Sequence, residues 1–135
     1  MASEVVVDLS AEVGADGRVS VQCLTLYIPE RDRDGRVLRD QRRWVLEGAD
    51  LLAHIGGGVT IMPPVEGGWL NEAGEIVWEN PILIYTFIRP SEFLNLLPNL
   101  RAFLHKLGRD TRQGEVAFEF DGQFYRITKF DAASK

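Results

Sequence analysis

The sequence predicts one α+β domain: an antiparallel sheet with two helices on one face, in the chain order β-α-β-β-α-β, and extra strands at both ends. Three observations carry this. Two stretches repeat apolar residues at helical spacing. The stretches around them alternate at a period of two or run apolar on both faces. Asp121-Gly122 is a two-residue hairpin signal. At 135 residues the chain has the length of a single domain, and about two-thirds of its unfolded surface can be buried, so its core needs no disulfide or metal.

Val5, Val7 and Leu9 alternate as a strand near 4–9, and Ala15-Asp16-Gly17 is a turn. Residues 19–28 read as a long strand that would pair back on the first, making an N-terminal hairpin arm over 4–17. Pro29 ends it. Asp40 is the expected N-cap of a helix near 41–55, whose stripe is Trp44, Gly48, Leu51, Leu52 and Ile55, with Arg43 and Glu47 paired on its exposed side and Gly56 past its end. A short strand near 58–62 stops at Pro63-Pro64. Gly67-Gly68-Trp69 extends it as a bent arm, and Asn71–Glu75 reads as a turn. A long strand over 75–88 is interrupted at Asn80-Pro81, and its apolar second half reads as central in the sheet. Ser91 caps a short helical turn. Pro98 opens the second helix, near 98–107, with Leu100, Phe103, Leu104 and Leu107 inward. Strands near 115–120 and 123–129 form the closing hairpin, and 131–135 read as a frayed tail. With the terminal strands set aside, the order defines a ferredoxin-like split βαβ sandwich with a core over about 19–129. Trp44, Leu51, Ile55, Ile84, Leu100, Leu104 and Phe118 are the expected core residues.

Composition narrows the function. The net charge of −5 disfavours a nucleic-acid coat, which must neutralise phosphates. Six arginines between Arg31 and Arg43 are interleaved with Glu30, Asp32, Asp34 and Asp40 and read as a solvated loop and helix start. The single cysteine, Cys23, fits a reducing compartment. The first ten residues carry no secretory pattern and no apolar run can cross a bilayer, so a cytoplasmic location is expected. His54 and His105 fall on the polar sides of their helices, neither with ligand spacing to a second donor, so neither a metal nor a cofactor is expected.

The candidate contacts lie elsewhere. Gly57-Gly58-x-Thr60 follows a helix, where the dipole is negative, so a helix stop is the ordinary reading and an anion cradle the sharper one. Trp69 and Trp78 flank a turn as a wall for a ligand or a subunit, with Glu79 beside them and Tyr85 in the same contact. Arg109 and Arg112 suit a helix C-terminus and also form a possible anion contact. From the Gly57-Gly58-x-Thr60 turn through Gly68-Trp69 to the acidic strand Ile76-Val77-Trp78-Glu79, the chain resembles small bacterial ferredoxin-like proteins of unknown function and, more distantly, the PII-like group. That resemblance implies an oligomer binding small molecules between subunits. The leading expectation is therefore a homo-oligomeric module that binds a small molecule or a protein. The alternatives are a small cofactor-independent enzyme using Glu79, Tyr85 or His54, and an inhibitor-type partner acting through its acidic surface.

Overall fold

The computed structural model describes residues 6–17 and 22–133. Its elements are α1 (Leu9–Val13), β1 (Cys23–Ile28), α2 (Gln41–Gly56), β2 (Thr60–Ile61), β3 (Gly67–Leu70), β4 (Ile76–Glu79), β5 (Ile82–Phe87), α3 (Pro90–Asp110), β6 (Val116–Phe120) and β7 (Gln123–Ile127). The main sheet runs β2-β5-β1-β6-β7, antiparallel at every pairing, and β3 and β4 form a separate two-stranded ribbon. Taken as β1, α2, β2, β5, α3 and β6, the chain is the expected ferredoxin-like sandwich, with the ribbon inserted before β5 and β7 added at the edge.

The alternation in β1 puts Leu24, Leu26 and Ile28 inward, and register brings Ile82, Ile84 and Thr86 of β5 to the same face. Against that face pack Trp44, Val45, Leu52 and Ile55 of α2 and Leu100, Phe103, Leu104 and Leu107 of α3, in one continuous core. The helices meet through Trp44 and Phe103, with ring centroids 6.2 Å apart, and through Lys106 donating to Glu47 at 2.9 Å. Of the expected core, Leu51 and Phe118 are half-buried at its border; the others are buried. No helix among the described residues is long and apolar enough to cross a membrane.

Several expectations are corrected. No strand forms over the described part of 4–9: the Asp8 side chain accepts from the Ala11 N–H and starts the short helix α1. Residues 1–5 and 18–21 lie outside the described residues. An N-terminal strand would have no edge of β1 to pair with, because β5 and β6 occupy both. α3 begins at Pro90 with Arg89 as its cap, not Ser91, and runs through Pro98. The cost of that proline is reduced because the carbonyl it leaves without a helical donor belongs to exposed Leu94, open to water.

Gly57, not Gly56, takes the left-handed C-cap of α2, with φ +86°. Asp40 caps α2 without a side-chain bond to its backbone; it pairs with Arg43 at 3.2 Å, which leaves Glu47 to Lys106. His105 is not on a polar face: it is 7% exposed. The tail is ordered at its start, since the Asp131 N–H donates to His105 Nδ1 at 2.7 Å. Arg101 holds the Asp131 carboxylate with two bonds of 2.8 and 3.0 Å, and Phe130 joins the core border.

Candidate functional site

The helices cover one face of the sheet. Strand alternation sends Cys23, Thr25 and Tyr27 of β1, Leu83, Tyr85 and Phe87 of β5, Ala117 and Glu119 of β6, and Phe124 and Arg126 of β7 to the other. The β3–β4 ribbon stands beside this open face and makes a cleft of about 800 Å³. Tyr27, Leu83 and Ala117 form its floor, Trp69 and Gly67 one wall, and Phe124 and Arg126 another. Its rim carries both signs of charge, with Asp32, Glu66, Glu79 and Glu115 among Arg31, Arg33 and Arg126.

At the floor, the Tyr27 hydroxyl donates to the Glu119 carboxylate in a short hydrogen bond. The sheet creates this pair. Thr25 sits directly opposite Glu119 in the β1–β6 register, so Tyr27 is its diagonal neighbour, within reach of a long side chain. Phe124 packs edge-on to Tyr27, with centroids 6.3 Å apart. Burial, then the Glu119 hydrogen bond, then the Glu119 charge push the Tyr27 phenol up from 10.0 to about 12. The neutral phenol therefore contributes stability fully below pH 10, and that contribution is lost as pH rises from 10 through about 12. In an absorbance titration Tyr27 should ionise above the ordinary 10.0, and Glu119→Gln should lower its pKa. If Tyr27 ionises at the same pH in both proteins, the bond does not hold the phenol.

The ribbon is fixed at its root. The Glu30 N–H donates to Glu79 Oε1 and the Asn80 N–H to Glu30 Oε1, each at 3.0 Å. The Asn80 side chain donates to the Val65 carbonyl at 3.2 Å, and Gln41 to the Asn80 carbonyl at 3.3 Å. Glu79 thus serves as an anchor on the cleft border.

The other expected site residues are dispersed. Trp69 pairs with Val77 and Trp78 with Gly68, so the two indoles lie on opposite faces of the ribbon and do not form one wall. Trp69 lines the cleft; Trp78 borders a smaller hollow of about 410 Å³ with Glu30, Arg31 and Glu66. Tyr85 is half-buried on the open face, edge-on to Phe87 and opposite exposed Thr60. Gly57 ends α2, and the Gly58 carbonyl accepts from the Thr86 hydroxyl at 2.6 Å, so these two glycines are accounted for by the helix stop. Arg109 donates to the Asp131 carbonyl at 2.7 Å and pairs with Asp110, while Arg112 pairs with Asp34 at 3.0 Å. Each arginine has its own protein acceptor. His54 is exposed and bonds the Asp50 carbonyl one turn back.

No family model matches the chain, and no curated protein does. Two solved structures share its fold. A phage SAM lyase in complex with S-methyl-5'-thioadenosine superimposes with a TM-score of 0.57 at 17% identity, over 84% of this chain and 92% of that one. A phage SAM lyase in the apo state gives 0.56 at 16% identity, over 86% and 95%. At such identity the likeness carries the fold.

Proposed function

We propose that the chain binds a small zwitterionic molecule bearing a flat ring in the open-face cleft. The observation that carries this is the Tyr27 hydroxyl, held by Glu119 from outside the lining, on an otherwise apolar and aromatic floor. One fixed polar group among apolar walls is the usual composition of a small-ligand site, where the walls supply affinity and the polar group orientation. Trp69 and Phe124 offer faces for a ring, and the mixed rim suits a ligand with both an ammonium and a carboxylate.

Two solved structures of this fold are titled SAM lyases, one holding S-methyl-5'-thioadenosine. SAM, S-adenosylmethionine, combines a purine, an amino-acid zwitterion and a sulfonium, and it is the first ligand to test. When the carboxylate oxygen of the amino-acid end attacks the carbon beside the sulfonium, the new C–O bond closes a lactone, the C–S bond breaks, and its electron pair goes to sulfur to leave a neutral thioether. Turnover as a cofactor-independent lyase is therefore the second reading. The two phage SAM lyases of this fold are the observation behind it.

Calorimetric titration with SAM and with S-methyl-5'-thioadenosine, alongside chromatographic assay of thioadenosine release, tests both. Binding is expected within the range of about 1 μM to 1 mM usual for enzyme substrates. Trp69→Ala and Phe124→Ala should each weaken it about tenfold or more, as the loss of an aromatic contact does. Binding with no release leaves the module reading and removes the lyase. No binding of either compound overturns the SAM assignment.

A further inference from the structure

Two further surfaces are unfinished, the first bordering the cleft at Leu70. The first is the outer face of the ribbon. Leu70, Ile76 and Trp78 share it and are 69%, 52% and 62% exposed. A two-stranded ribbon is marginal by itself. This one is held at its root by the Glu30, Glu79 and Asn80 bonds, so its apolar face is presented in a fixed position. Its flanks carry Glu66, Glu72 and Glu75, exposed and in no ion pair among the described residues.

The second surface is the start of α2. Arg39 and Arg42 are exposed and likewise in no ion pair among the described residues. The first turn of α2 holds no acid, and its cap residue makes no side-chain bond to the helix. Cations at the positive end of a helix dipole are disfavoured and call for anions. Exposed Val37 and Leu46 flank them, Leu46 one turn along from Arg42.

We propose that these surfaces are the two halves of one contact between copies of this chain. Leu70, Ile76 and Trp78 of one copy pack on Val37 and Leu46 of a second, and Glu72 and Glu75 reach Arg39 and Arg42. The charge on each surface is opposite to that on the other, and each joins unpaired charge to uncovered apolar area, the makeup of an interface with a polar rim. Gln41 donates to the Asn80 carbonyl, so the start of α2 meets the ribbon root within one chain. A two-fold axis can then satisfy both at once, the commonest closed arrangement. Of the contact residues only Leu70 is shared with the cleft lining, so the contact rests on other side chains than the proposed ligand site.

The test uses the full chain with paired charge reversals. Wild type is expected to sediment at twice the 15.2 kDa monomer mass or more. Raising the salt to about 1 M, where screening acts within ~3 Å, should weaken association about tenfold or more. The Arg39→Glu/Arg42→Glu and Glu72→Lys/Glu75→Lys variants should each be monomeric with native circular dichroism, and mixing them should restore the assembled mass. Because both pairs are exposed, a folding failure is not expected, and Leu70→Asp gives an independent disruption. A wild type that stays at 15.2 kDa, or a mixture of reversed variants that stays monomeric, overturns the proposal.

Discussion

Trp44→Ala is expected to cost about 3–5 kcal/mol in denaturant melts, the range for deleting a large buried aromatic. Trp44 is 2% exposed and joins the two helices: its ring meets Phe103 of α3, and the Arg43 and Lys106 cations lie 4.9 and 5.5 Å from its centroid. Alanine would leave a void at the α2–α3 junction, against the Phe103 ring that Trp44 now meets. Glu47 and Lys106 bridge the same junction but are partly exposed, so their ion pair cannot compensate, being worth ~0–1 kcal/mol. A loss below about 1 kcal/mol would mean that the helices repack around the gap.

Gly56→Ala is expected to be the most damaging single methyl, at about 1–3 kcal/mol or more. The added Cβ would overlap the Thr86 hydroxyl and lie 2.5 Å from the Phe87 carbonyl oxygen. That carbonyl is backbone of β5, the strand between β1 and β2, and cannot swing aside. Gly58 is the internal control, because a Cβ there meets nothing within 4 Å. Gly58→Ala should change stability by less than about 1 kcal/mol and can raise it by restricting the unfolded chain. Equal effects at the two positions, in paired urea melts, would refute this account of the triple glycine.

The contrast shows what the sequence can and cannot convey. The glycine run announced a helix stop, but only the approach of α2 to β5 distinguishes Gly56 as the position where a methyl does not fit. The helical stripes, the hairpin at Asp121-Gly122 and the break at Asn80-Pro81 were legible, because each rests on local geometry. The start of the chain was misread because Val5, Val7 and Leu9 alternate like a strand, while a single Asp8 cap bond turns the next residues into a helix. Pro98 reads as a helix start in the sequence because a proline ordinarily cannot continue a helix, while the exposure of Leu94 one turn back reduces the cost.

The cleft was half legible. Trp69 and Glu79 were singled out, but Tyr27 and Glu119 are 92 positions apart and meet only through the β1–β6 register. One signal was present: Glu119 is the lone charge in the strand Val116-Ala117-Phe118-Glu119-Phe120, on the face opposite Phe118 and Phe120. A single acid on an otherwise apolar strand demands a partner, and a tyrosine on the neighbouring strand supplies it.

The place of β1 in the sheet also affects how the chain is made. The central strand is synthesised first. Its partners begin at Ile82 and Val116, long after Ile28 has been added. At roughly 5–20 residues per second of synthesis, Leu24, Leu26 and Ile28 wait several seconds without a sheet to join. During that interval α2 can form from local contacts, and its Trp44–Ile55 stripe is the first apolar surface available to shield them. A nascent chain stalled before β5 should therefore depend on chaperones in a way that one stalled after β6 does not.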